Sequence, residues 1–159
     1  MLAERLAEHE VLYVEPGQLL VCSEPKRLRT ILGSCVSVCL YDPHNCIGGM
    51  NHFMLPRAPQ GGSAGFRYGD AAMPGLLERM QRLGAEPRQL CAHVFGGAKV
   101  LTAISGMNHL GQGNVDFALD WLDERGITIV SSGVLGTWAR RLDLDVASGT
   151  CFEQLLGAR

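Results

Sequence analysis

Apolar side chains come in short runs separated by turn residues, and two longer stretches instead repeat at helical spacing. Val11 to Val14 and Leu19 to Ser23 predict strands around the turn Pro16-Gly17. A third strand begins near Leu28 and is interrupted at Gly33-Ser34-Cys35. The run Val36 to Tyr41 ends in Asp42-Pro43, and Ile47 to Leu55 reads as its antiparallel partner. Residues Arg57 to Gly69 hold four glycines and predict a long mobile loop. Asp70 is placed to cap a helix through Arg82, with Ala72, Leu76, Leu77, Met80 and Leu83 on one face and Gly84 as the stop. Leu90 to Phe95 is another apolar strand, followed by Gly96-Gly97-Ala98. A second helix opens at Gly113 or Asn114, buries Val115, Ala118, Leu119 and Leu122, and ends at Gly126. Ile127 to Ser131 predicts a strand, and Leu142 to Val146 with Cys151 to Leu155 predicts a hairpin around Ser148-Gly149. Strands interspersed with two helices make a layered α/β domain.

Composition narrows the field. The 159 residues are 47% hydrophobic and 19% charged, which suits one folded domain and excludes disorder. A chain this long hides roughly 70% of its unfolded surface. The net charge of −2, with no Lys/Arg-rich stripe, argues against a nucleic-acid partner. No apolar run is long enough to span a membrane, so the protein is not expected to be membrane-embedded. Met1 to Glu10 carries three glutamates and no apolar core, unlike a secretory signal, which points to a cytoplasmic protein.

Six cysteines then need explaining. They fall at positions 22, 35, 39, 46, 91 and 151, and no pair forms Cys-x-x-Cys. Cys35, Cys39, Cys46 and His52 could together supply four metal ligands, yet Cys39 lies inside an apolar run where a thiol acts as a small hydrophobe. No metal site is expected. Cys22, Cys91 and Cys151 have apolar neighbours and read as packing residues, and Cys46 sits undecided at the head of a strand.

Cys35 differs, because it follows a Gly-Ser turn and precedes a strand. A residue at such a corner projects its side chain while backbone N–H groups of Gly33, Ser34 and Cys35 stay free for an oxyanion. A thiol of ordinary acidity needs a base to act as a nucleophile at neutral pH. His52, on the returning strand, is the candidate, and its alternative is a buried structural histidine. Thr30 is positioned to orient that imidazole, and its alternative is a strand threonine satisfied locally. His9, His44 and His109 read as solvated, and His93 as a hydrogen-bonded core residue. Gly111-Gln112-Gly113 lacks the third glycine of a dinucleotide fingerprint, and Gly96-Gly97-Ala98-Lys99 lacks the upstream glycine of a P-loop.

The run from Leu32 to Pro43, followed by Ile47 to Pro56, resembles the bacterial chemoreceptor glutamine deamidase family, CheD. Arg67-Tyr68-Gly69-Asp70, Val94 to Ala98, Gly113-Asn114-Val115, Gly136 to Asp145 and Ser148-Gly149 agree in order, so the resemblance spans about residues 10 to 155 of a single domain covering 1–159. It implies a three-layer α/β/α sandwich with a mixed, largely antiparallel sheet. It also implies a Cys-His-Thr site, with Cys35 as nucleophile, His52 as general base and Thr30 as the third member. Asn51 departs from the small residue usual before the histidine. The implied reaction converts receptor glutamines to glutamate through a thioester, with no metal or organic cofactor, and extends to methyl esters of glutamate. The implied partners are the cytoplasmic helices of chemotaxis receptors, met at a rim formed by the 57–69 loop and the Gly96-Gly97 turn. A second implication is an adaptor that binds a CheC-type chemotaxis phosphatase, with catalysis secondary.

Overall fold

The protein is seen here as a computed structural model, which describes residues 9–60, 65–100 and 109–157. In chain order the strands are β1 (Val11–Tyr13), β2 (Leu19–Cys22), β3 (Arg27–Leu32), β4 (Val36–Asp42) and β5 (Ile47–Asn51). Helix α1 (Gly69–Arg82) and a 3-10 turn (Pro87–Gln89) precede β6 (Cys91–Gly96). Helix α2 (Leu110–Glu124), β7 (Thr128–Val134), β8 (Arg140–Asp145) and β9 (Thr150–Leu155) complete the order.

The strands divide between two sheets. One has four strands in the order β1-β3-β8-β9, and the other has five in the order β2-β5-β4-β6-β7. Pairing is mostly antiparallel, with β1–β3 and β6–β7 parallel. Strand β4 lies between β5 and β6 and is buried along its whole length. Its even-numbered residues Val36, Val38 and Leu40 pack under α1 and α2 with Met73, Leu76, Val115 and Leu122. Cys39 faces the other way, into a second core with Met50, Phe95, Leu28, Leu32, Leu142 and Leu144. Side-chain alternation therefore serves two cores at once. Burying each of these large side chains contributes roughly 1.5–3 kcal/mol.

The α/β class and the largely antiparallel pairing are as expected. Three layers are present, and among the described residues they run helices, five-stranded sheet, four-stranded sheet. One face of the larger sheet thus meets a second sheet where a helical layer was expected. Period-two alternation marks which face of a strand is buried and is silent about what covers it.

Boundaries shift in several places. Helix α1 starts at Gly69 behind an N-cap at Tyr68, so Asp70, expected as the cap, lies in its first turn and makes no capping bond. Strand β7 runs on to Val134, beyond the expected Ser131. Helix α2 starts at Leu110, before the expected Gly113, because Gly111 packs directly on Gly97 and its missing side chain is what that contact requires. Strand β5 ends at Asn51, and its continuation to Leu55 survives only as isolated bridges, Val36 to Phe53 and Leu55 to Tyr68. Part of the expected 57–69 loop, residues 61–64, lies outside the described residues, as does the region 1–8. No helix among those described is long and apolar enough to cross a membrane.

Candidate active site

The chain crosses from one sheet to the other between β3 and β4, and the crossing is Gly33-Ser34-Cys35. Cys35 therefore sits at the seam between the sheets. Its carbonyl accepts the N–H of Gly97 at 2.9 Å, and the carbonyl of Gly33 accepts that of Ala98 at 2.9 Å. Gly96 has φ +113°, and a Cβ there would run into the carbonyl oxygen of Cys35. The glycine pair expected at a substrate rim is thus also what lets β6 close on the cysteine turn.

His52 follows β5 and is held through its backbone. Its N–H donates to Gln18 O at 3.2 Å, and its carbonyl accepts from Gly17 at 2.9 Å. The β4–β5 register pairs Cys39 with Met50 and resumes with Val36 opposite Phe53. Continued between those points, it sets His52 opposite Ser37, not opposite Cys35. Cys35 and His52 are diagonal neighbours on the face turned toward the smaller sheet, a separation of about 7–8 Å between backbones that side chains can bridge.

Asn51 acts on that same stretch. The main-chain ladder lapses beside it, and the Val38 N–H donates to Asn51 Oδ1 at 2.8 Å. Its Nδ2 donates to Ala72 O on α1 at 3.2 Å. A polar side chain has entered the ladder immediately before the histidine.

Thr30 reaches the histidine from the opposite sheet. Its Oγ1 lies 2.7 Å from His52 Nδ1 and donates to Val14 O at 2.6 Å. These two bonds settle the tautomer. A carbonyl only accepts, so the single hydroxyl proton goes to Val14, and Thr30 Oγ1 must accept from Nδ1–H. Nε2 is then left with a bare lone pair. Burial pushes the His52 pKa down to about 4, partly offset by the Val14 carbonyl, so the ring is neutral at physiological pH.

Burial also pushes the Cys35 thiol up, while its own backbone N–H favours the thiolate. Among the described residues no charged group contributes to either shift. At rest the thiol and the imidazole are both neutral. A neutral thiol and imidazole brought within hydrogen-bond reach can act by proton transfer at the moment of attack.

Two residues that sequence reasoning did not single out as site groups lie close by. Asn114, at the start of α2 and fully buried, donates Nδ2 to Ser34 O at 3.0 Å and to Met54 O at 2.9 Å. Its Oδ1 is buried without a partner among the described residues. Ser37 Oγ, beside His52 by register, is also buried and has no partner among the described residues. Asn114 falls in the Gly113-Asn114-Val115 segment that carries the family resemblance, but its contact with Ser34, 80 residues away, has no local signal.

The remaining candidates disperse. His93 is buried with Nδ1 2.5 Å from Ser131 Oγ, the hydrogen-bonded core histidine expected. His9, expected to be solvated, is instead half-buried, with Nδ1 2.8 Å from Asp145 Oδ1. Cys22 and Cys151 pack against the inter-sheet core, Cys39 lies inside it, and Cys46 is exposed in a turn at φ +52°. Among the described residues no three His, Cys, Asp or Glu side chains cluster as metal ligands.

A family model described as CheD chemotactic sensory transduction matches residues 54–154. A protein of Anaeromyxobacter dehalogenans named "Probable chemoreceptor glutamine deamidase CheD 1" is 42% identical over 144 residues, covering 91% of this chain and 84% of the relative. A Sulfurimonas denitrificans protein named "Probable chemoreceptor glutamine deamidase CheD" is 40% identical, covering 89% of this chain and 92% of its own length. The family match begins beyond His52, whereas an alignment spanning 91% of the chain must take in residues 30–52. Among solved structures, a Neisseria meningitidis protein of family DUF152 matches with a TM-score of 0.50 at 11% identity, covering 85% of this chain and 67% of that one, which speaks to the fold alone.

Proposed function

The chain belongs to the CheD chemotactic sensory transduction family, and from that premise we propose that it is a protein-glutamine deamidase acting on the cytoplasmic helices of chemotaxis receptors. The observation that carries this reading is the Thr30–His52 hydrogen bond, which puts the proton on Nδ1 and leaves Nε2 as a base on the face that holds Cys35.

In the proposed reaction Nε2 of His52 takes the Cys35 thiol proton as Sγ attacks the side-chain amide carbon of a receptor glutamine. The tetrahedral intermediate carries its negative charge on the former carbonyl oxygen, where the backbone N–H groups of Ser34 and Cys35 are disposed to meet it. The C–N bond then breaks. Ammonia leaves with the proton held by His52, and a thioester remains. Water, deprotonated by the same Nε2, attacks the thioester and expels Sγ, which recovers its proton. The product is glutamate. Thr30 keeps the imidazole in one tautomer through both halves of the cycle. A glutamate methyl ester offers the same acyl carbon, and methanol leaves in place of ammonia, so receptor methylesterase activity is a second reaction of the same site.

The test is ammonia release and amide-to-acid conversion in a receptor cytoplasmic domain incubated with wild-type or Cys35→Ala protein. Loss of the nucleophile is expected to reduce turnover by a factor on the order of 10⁶, to background. Activity persisting in Cys35→Ala overturns the assignment.

A further inference from the structure

We infer that Asn114 is a positioning residue for this reaction, holding the Ser34–Cys35 peptide so that the Cys35 N–H faces the oxygen of the acyl group under attack. The inference rests on the deamidase reading above and adds a group to it.

The geometry is specific. Both acceptors of Asn114 Nδ2, Ser34 O and Met54 O, are carbonyls, so the side-chain amide has only one workable orientation. That orientation leaves Oδ1 buried and unpaired among the described residues, which marks the amide as held by its Nδ2 bonds alone. A peptide unit is planar and trans, so its C=O and N–H point in opposite directions. Anchoring the Ser34 carbonyl on α2 therefore turns the Cys35 N–H away from that helix. Among the described residues no backbone carbonyl accepts that N–H, and it lies against its own Sγ, where it favours the thiolate. The far side of the turn is fixed independently, by Gly97 and Ala98 donating to Cys35 O and Gly33 O. The peptide is thus clamped from both sides, with one donor left over beside the nucleophile. The same Nδ2 holds Met54 O, two residues past His52, so one amide ties the nucleophile segment to the base segment.

The decisive comparison uses Asn114→Asp, which keeps the shape and removes both donors. Receptor deamidation is measured alongside alkylation of Cys35 by iodoacetamide, a reaction that needs the sulfur and passes through no oxyanion. Loss of one oriented oxyanion donor is expected to lower kcat about 10²–10³-fold, with KM and the alkylation rate nearly unchanged. An unaltered kcat overturns the inference. So does a parallel fall in kcat and alkylation, which would mean that Asn114 merely keeps the turn folded.

Because the charged variant can fail to fold, a second measurement uses the wild-type protein. A peptide carrying glutamate semialdehyde at the target position forms a hemithioacetal with Cys35, and the Cys35 amide proton is followed by NMR. A downfield shift on binding, with the Asn114 Nδ2 protons still protected from exchange, is expected. A Cys35 amide that does not move overturns the inference. Failure of the parent reading looks different: no hemithioacetal forms, and Cys35→Ala still deamidates.

Discussion

His52 shows how a single side chain can be defined by what it is denied. It is 2% exposed and has a threonine hydroxyl on Nδ1 but, among the described residues, no charged neighbour shifting its pKa. With the pKa near 4 in the folded chain against 6.5 in the open one, the unfolded state binds more protons between those values. The stability due to this residue is therefore intact above about pH 6.5 and declines as pH falls toward 4, by about 3 kcal/mol in all. Urea unfolding followed from pH 7 to 4 checks this, and His52→Gln is expected to flatten the slope. His93, also pushed down by burial, keeps a residual slope of the same sign. At this scale the sequence was readable where partners are close along the chain. Cys35 and His52 belong to one hairpin, and turn signals bring them together. The Thr30 bond was not decided by spacing, because Thr30 stands on the other sheet. The contacts of Asn114 with Ser34 and of His9 with Asp145, 80 and 136 residues apart, leave no local trace at all.

Among the elements, the close approach of β4 and β6 at their site end makes the strongest demand on residue type. Gly96 combines a positive φ with an absence of room, since a Cβ would strike the Cys35 carbonyl. Gly126, which ends α2 at φ +66°, has the first property without the second, because nothing lies within 4 Å of its missing side chain. Alanine at either position meets a backbone cost of about 1–3 kcal/mol. Gly96→Ala is expected to cost more and to suppress deamidation by displacing Cys35, whereas Gly126→Ala should lose stability alone. Thermal unfolding and ammonia release on the pair separate the two effects. Most elements were legible from alternation and helical spacing, including α1, β4, β6 and the β8–β9 hairpin. The early start of α2 was hidden, because Gly111 and Gly113 weaken the local helical signal and are accommodated by a tertiary contact with Gly97.

For the molecule as a whole, the division of the nine described strands between two sheets was the least legible feature. Burial periodicity assigns faces, and only long-range packing decides whether a face meets a helix or another sheet. Met50 is a sensitive probe of that packing, being fully buried between the sheets next to the site. Met50→Ala is expected to lower stability by about 2–5 kcal/mol in a denaturant titration. Deamidation should be lost at lower denaturant than in the wild type, because Thr30 and His52 sit on opposite sides of that core. The seam also orders events in time. Strand β3, which carries Thr30, has as its antiparallel neighbour β8, from residues 140–145, so its proper seating waits for a late part of the chain. Protein truncated before β8 still holds both thiol and imidazole, yet is expected to release no ammonia from receptor glutamines, because β3 then lacks the strand it pairs with along its whole length.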